Sequence, residues 1–187
     1  MNAKSWFGTG VVLGILAVTG NAADLQIDPE KIENAGNIPG WEIFKYVKDG
    51  SVSLENAGDD KALKLSVEAD KKGLMLITKD TIKCNKGEKI TFSFTAKGKG
   101  ALAGGAYLFD ADGEKLGGVY GALKDIKSDD EWTDFLDTKD IPATSEGKPI
   151  ASIQPYLSIK QGSENSVDGY RFARTSGAGN KKVRRFP

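Results

Sequence analysis

A two-residue rhythm constrains this chain more than any other feature. From Lys89 to Lys97, Ile90, Phe92, Phe94 and Ala96 alternate with Thr91, Ser93 and Thr95. Successive side chains of an extended chain point to opposite faces, so this stretch reads as a strand with one buried face. Leu63, Leu65 and Val67 alternate with Lys64, Ser66 and Glu68 in the same way. So do Ile153, Pro155, Leu157 and Ile159 with Ser152, Gln154, Tyr156 and Ser158. Residues 73–78 are apolar almost throughout, which predicts a strand covered on both sides. Turn chemistry punctuates these runs at Asp49-Gly50, Asn85-Lys86-Gly87 and Ala111-Asp112-Gly113. Further strands are expected over 41–47, 102–110, 115–120, 132–137, 150–160 and 167–173. Residues 51–54 are expected to pair with 41–47 across Asp49-Gly50. No segment carries a convincing helical period. About ten short strands between turns indicate an all-β, two-sheet antiparallel sandwich.

The ends differ from this middle. Trp6 to Thr19 is a short apolar run behind Lys4, followed by the small residues Gly20-Asn21-Ala22-Ala23. That layout is a secretory signal peptide, expected to be removed after residue 22 or 23. The run is shorter than the roughly 20 residues a membrane-spanning helix needs. No second apolar run follows, so no membrane insertion is expected after cleavage. The expected division is a signal peptide over 1–23, a sandwich domain over 24–174 and a flexible basic tail over 175–187. The expected location is secreted, periplasmic or cell-surface, and a bacterial source fits an exported chain without disulfides.

Composition removes much of the catalytic repertoire. The 187 residues include no histidine and one cysteine. A Ser-His-Asp triad or a Cys-His pair cannot be built, nor can a histidine-ligated zinc site. Cys84 reads as a buried, small apolar residue. Lys and Arg number 26 against 26 Asp and Glu, so no basic face for nucleic acid is indicated. No acid stands in an apolar sequence setting of the kind that raises a general acid's pKa. Asp129, Asp130 and Glu131 read as a solvated loop, and no enzyme is expected.

The order of motifs resembles a known family. Asp28-Pro29-Glu30-Lys31-Ile32-Glu33 precedes Gly40-Trp41, and Asp60-Lys61-Ala62-Leu63-Lys64-Leu65 follows. Lys86-Gly87-Glu88-Lys89-Ile90-Thr91-Phe92-Ser93-Phe94 leads a strand. Phe109-Asp110-Ala111-Asp112-Gly113 forms a hairpin, then comes Trp132-Thr133-Asp134-Phe135, and Asp168-Gly169-Tyr170-Arg171-Phe172 closes the series. Over residues 25–173 this resembles the galactose-binding-like jelly-roll carbohydrate-binding modules attached to bacterial xylanases and glucanases. The resemblance implies a jelly-roll topology and binding of a polysaccharide or glycan without turnover. It also implies a structural Ca²⁺ ion held by Glu33, Asp59 or Asp60, the Lys61 carbonyl and Asp168, a hard-oxygen set that suits calcium.

A sugar site needs rings that stack on pyranose faces and polar groups that bind hydroxyls. Gln154 and Tyr156 lie on the polar phase of their strand and are expected to face outward together. Tyr107 and Tyr120, in neighbouring strands, are the next candidates. Trp41, Phe92, Phe94, Trp132, Tyr170 and Phe172 read as core. The alternative function is a cell-envelope scaffold that contacts a protein partner instead of a sugar.

Overall fold

The computed structural model describes residues 25–175. Fourteen strands and one turn of 3₁₀ helix (Pro29–Lys31) make up their regular structure. The strands are β1 (Leu25–Ile27), β2 (Trp41–Lys48), β3 (Ser51–Ala57), β4 (Asp60–Val67), β5 (Gly73–Thr78), β6 (Ile82–Lys83) and β7 (Lys89–Phe109). They continue with β8 (Lys115–Tyr120), β9 (Lys124–Ile126), β10 (Thr133–Asp140), β11 (Thr144–Ser145), β12 (Lys148–Pro149), β13 (Ser152–Lys160) and β14 (Ser163–Thr175). The signal-peptide segment and all but the first residue of the basic tail lie outside the described residues.

The strands form a two-layer antiparallel jelly-roll sandwich. The first layer runs β10, the N-terminal half of β7, β14, β4 and β3, with β1 beside the end of β14. The second runs β2, β5, β13, the C-terminal half of β7, then β8 and β9. The two strands expected over 89–97 and 102–110 are thus one strand of 21 residues shared by both layers. It turns from one layer to the other at Gly98 and Gly100, whose φ angles are +125° and +98°. A side chain at Gly98 would collide with the Glu164 carbonyl, and one at Gly100 with Ser163. Only glycine combines that conformation with that closeness.

The alternation places the core as expected. Ile90, Phe92, Phe94 and Ala96 point inward and are buried. Leu63, Leu65, Leu157, Ile159 and Leu102 meet them. Trp41 packs edge-on against Tyr170 at 5.5 Å, and Phe92 lies 5.7 Å from Phe172. The polar ends of these rings are satisfied. The Tyr170 hydroxyl donates to the Tyr156 carbonyl at 2.9 Å, and the Trp41 indole N–H donates to the Gln26 carbonyl at 3.2 Å. A buried aromatic so placed contributes about 3–5 kcal/mol by truncation.

Two expectations are corrected. Residues 51–54 do not pair with 41–47: β2 pairs with β5 and β3 with β4. Asp49-Gly50 is therefore a crossover between layers, because a reversal dipeptide does not specify which strands it joins. The β3–β4 hairpin turns instead at Gly58-Asp59, between the paired Ala57 and Asp60. Trp132 is not core. It precedes β10, is 36% exposed, and lies under the Lys97 ammonium at 5.1 Å from the ring centre. An aromatic residue just ahead of an edge strand has no second layer above it to enter.

Candidate carbohydrate-binding face

The outer face of the second layer carries the candidate site. On β7, Leu102, Ala106 and Leu108 point to the core, so Tyr107 points out. Its register partners are Gln154 on β13 and Gly118 on β8. One step along, Gly105 pairs with both Tyr156 and Tyr120. Cross-strand partners share a face. The fold therefore gathers all four residues expected to bind sugar, Gln154, Tyr156, Tyr107 and Tyr120, on one surface.

Small residues decide how the rings lie. A side chain at Gly105 would overlap the Tyr156 ring, and one at Gly118 would touch the Tyr120 ring at 3.0 Å. Both tyrosines thus lie down over bare backbone. Tyr156 and Tyr107 meet at 5.2 Å between centroids, tilted by 43°. The Tyr107 hydroxyl approaches the Met75 sulfur at 3.7 Å.

The expectation of an exposed Tyr156 is corrected here. Tyr156 does face away from the main core, yet it is only 4% exposed. It belongs to a second apolar cluster with Met75 and Ile77, capped by Phe44, Val47 and Tyr107. The cause is an irregularity in β2. Ile43 pairs with Leu76 and Lys48 with Leu74, so residues 44–47 have no counterparts on β5 and bulge outward. That bulge carries Phe44 across the sheet to within 5.8 Å of Tyr107. It also explains why β5 is buried on both faces. Burial pushes the Tyr156 hydroxyl well above its ordinary pKa, with smaller effects from Tyr107 and Tyr120. Tyr107 is shifted up for the same first reason.

The rings that remain open are Tyr120, 63% exposed, and Tyr46, 71% exposed. Tyr46 stands on the bulge, edge-on to Phe44 at 5.3 Å. Its exposure depends on an irregular strand, which a period-two pattern does not signal. Gln154 is half-buried, and its amide donates to the Thr78 carbonyl at 2.7 Å. That bond leaves Oε1 as an acceptor. Two lysines complete the face. The Lys115 ammonium sits 3.3 Å from the Tyr107 ring centre, and that of Lys45 is 4.8 Å from the Tyr46 centre. Exposed pairs of this kind contribute about 0.5–1 kcal/mol each.

The residues implied for calcium gather only in part. Glu33, Asp59, Asp60 and Lys61 are exposed. The Lys61 N–H donates to Glu30 Oε1 at 2.5 Å. Asp168 is held above its ordinary pKa by burial, then by Asp60, Glu30 and Asp28. Glu33 and Asp59 are not among the acids acting on it. Among the described residues no three acids or thiols converge closely enough to hold a metal ion as they stand.

Other polar features are structural. Asp110 accepts from the Asp112 and Glu114 N–H groups through Oδ1 and pairs with Lys148 at 3.0 Å through Oδ2. That is the expected hairpin turn. Cys84 is buried, and burial pushes its thiol up to about 11, which makes it unreactive. A separate cavity of about 590 Å³ lies on the first layer, lined by Leu136, Asp134, Ser93 and Asp168 among others. It is remote from the tyrosine face, which is an open surface and not a closed cavity.

Comparisons with solved structures agree with this architecture. No family model matches the chain, and no curated protein matches it by sequence. The CBM22-1 xylan-binding domain of Xyn10C from Paenibacillus barcinonensis superposes with a TM-score of 0.55 at 14% identity, covering 81% of this chain and 94% of that one. The N-terminal CBM22-1–GH10 modules of xylanase 10B from Clostridium thermocellum, complexed with xylohexaose, give 0.54 at 16%, covering 82% and 28%. A cyclase from Fischerella sp. TAU gives 0.56 at 10%, covering 82% and 98%. The chain has the fold of these carbohydrate-binding modules. The cyclase shows that the fold is also used for chemistry, so function rests on the site. No helix among the described residues is long and apolar enough to cross a membrane.

Proposed function

We propose that this protein binds a polysaccharide, without chemical turnover, on the outer face of the second layer. The observation that carries the reading is the pair of exposed rings, Tyr46 and Tyr120, flanking the half-buried Tyr107 and Gln154. Open aromatic rings provide stacking surfaces, and the Gln154 Oε1 accepts from a sugar hydroxyl. Tyr156 supports the floor and does not itself stack on the ligand. The xylan-binding neighbours point to the same class of ligand. Export, with removal of residues 1–23, belongs to the proposal, since extracellular polysaccharide must be reached. Affinity electrophoresis of the purified chain in gels containing xylan, mannan, β-glucan, galactan or pectin tests it. Retardation in at least one gel, lost on Tyr120→Ala, is the expected result. Free migration in all of them overturns it and favours the cell-envelope scaffold. The exposed Leu136 beside the first-layer cavity would then be the place to seek a protein partner.

A stabilising calcium ion at the edge between Asp60 and Asp168 is the second part of the proposal. It is supported by the resemblance and by the like-charge crowding of Asp60, Glu30 and Asp28 on Asp168. An ion held only by the folded chain adds about 2.7 kcal/mol at a hundredfold excess over Kd. The melting temperature is expected to fall in EDTA and recover with Ca²⁺. A melt indifferent to both removes the ion from the account.

A further inference from the structure

We infer that the ligand of the tyrosine face is an acidic glycan, one carrying uronic-acid carboxylates, read by Lys115 and Lys45. This rests on the reading of that face as a polysaccharide site. Each ammonium lies over an outward ring, Lys115 over Tyr107 and Lys45 over Tyr46. Neither is in an ion pair among the described residues. On the first layer the outward lysines are mostly neutralised. Lys64 pairs with Glu164, Lys89 with Asp140 at 2.5 Å and Lys99 with Asp129 at 2.6 Å. Lys97, over Trp132, is the exception.

The surrounding charge has the same sign. In outward register on the second layer, Lys83 stands opposite Ser152 and Lys160 opposite Gly73. The acids in such register are Glu42, opposite Ile77, and Asp125, opposite Ala101. In this register the lysines, with Lys115 and Lys45, outnumber the acids, and an excess of positive charge among aromatic rings favours an anionic partner. Position matters as well as charge. At 3.3 Å from the Tyr107 ring centre, Lys115 occupies the place where a neutral sugar would stack. A neutral ligand must displace that ammonium and can gain from it only hydrogen bonds to its hydroxyls, without a charge pair. An acidic sugar meets its carboxylate partner beside the ring.

The test compares matched polymers. Affinity electrophoresis uses polygalacturonate against its methyl-esterified form, and glucuronoxylan against carboxyl-reduced glucuronoxylan. Tighter retention of the acidic member in at least one pair is expected. Raising NaCl from about 0.05 to about 0.5 M should weaken it, because the Debye length shrinks several-fold. Lys115→Gln and Lys45→Gln should each weaken acidic binding about two- to fivefold, the range of exposed ion pairs, with the melting temperature unchanged. Equal retention of both members of each pair, insensitive to salt, overturns the inference and leaves polysaccharide binding standing. Retention of no polymer in either pair overturns the inference, and polysaccharide binding falls with it only if mannan, β-glucan and galactan are also unretained.

Discussion

On the outer face of the first layer, side chains spend their polarity on one another. Thr95 donates to Asp134 at 2.6 Å, Thr91 meets Thr138 at 3.0 Å, and Ser166 donates to Glu55. On the outer face of the second layer the same strand, β7, presents Gly105 and Tyr107, and its neighbours present more rings. There charged groups stand around the rings, and the tyrosines are either packed beneath Phe44 or left open. The difference teaches that outward phase and availability are separate properties. The first face is outward and self-satisfied. The second is outward, partly buried by a bulge, and open at its two margins.

The sharpest way to break this contrast is to truncate one outward residue on each face. Tyr156→Ala removes a buried ring from the second cluster and should cost about 3 kcal/mol. Thr95→Ala loses one exposed hydrogen bond and should cost about 1 kcal/mol or less. Urea denaturation of both variants measures the gap, and equal small losses would show that the second cluster contributes nothing. Next in size is a change in binding. Tyr120→Ala should weaken glycan binding about tenfold or more, the scale of a central anchoring residue, at near-constant melting temperature. Titration calorimetry against the retained polymer checks it. Trp132→Ala should change stability by about 1 kcal/mol, since the ring stands outside the core beneath Lys97. A loss of several kcal/mol would return that ring to the core.

The smallest effect concerns acid. Asp110 is held below its ordinary value of 3.8 by Lys148 and by the Glu114 N–H. A carboxylate whose folded pKa is depressed stabilises the fold above its unfolded pKa. That contribution is lost as pH falls through the folded pKa. The stability of wild type should therefore decline below about pH 4 more steeply than that of Asp110→Asn. Chemical denaturation at stepped pH reads the slopes, and parallel curves would show the hairpin pairing to be inert.

The fold was largely legible because alternation is local and unambiguous. The phase of Phe92 and Phe94 fixed the inner face of β7, and the pattern over Ser152–Ile159 correctly aimed Gln154 and Tyr156 outward. What the pattern could not convey was covering by distant chain. Tyr156 is buried by Phe44, more than a hundred residues away in sequence, through a bulge that has no period-two signature. Tyr46 was missed for the same reason. The dipeptide Asp49-Gly50 announced a reversal but not its partners. Pairing is settled by which faces must close over the core, and β3 closes on β4. Trp132 followed a motif into the core, though it stands ahead of an edge strand and has no layer above it.

The continuity of β7 through both layers has a consequence for how the chain reaches this state. Its residues pair with β10 and β14 on one side of the kink, and with β13, β8 and β9 on the other. Neither layer can be assembled from one contiguous half of the chain. Leu25 reaches Phe172, and Ser163 reaches Val67, before either sheet is complete. Closing such long loops precedes the contacts that reward closure, which slows folding. A fragment ending anywhere within 89–109 consequently inherits strands whose partners it lacks.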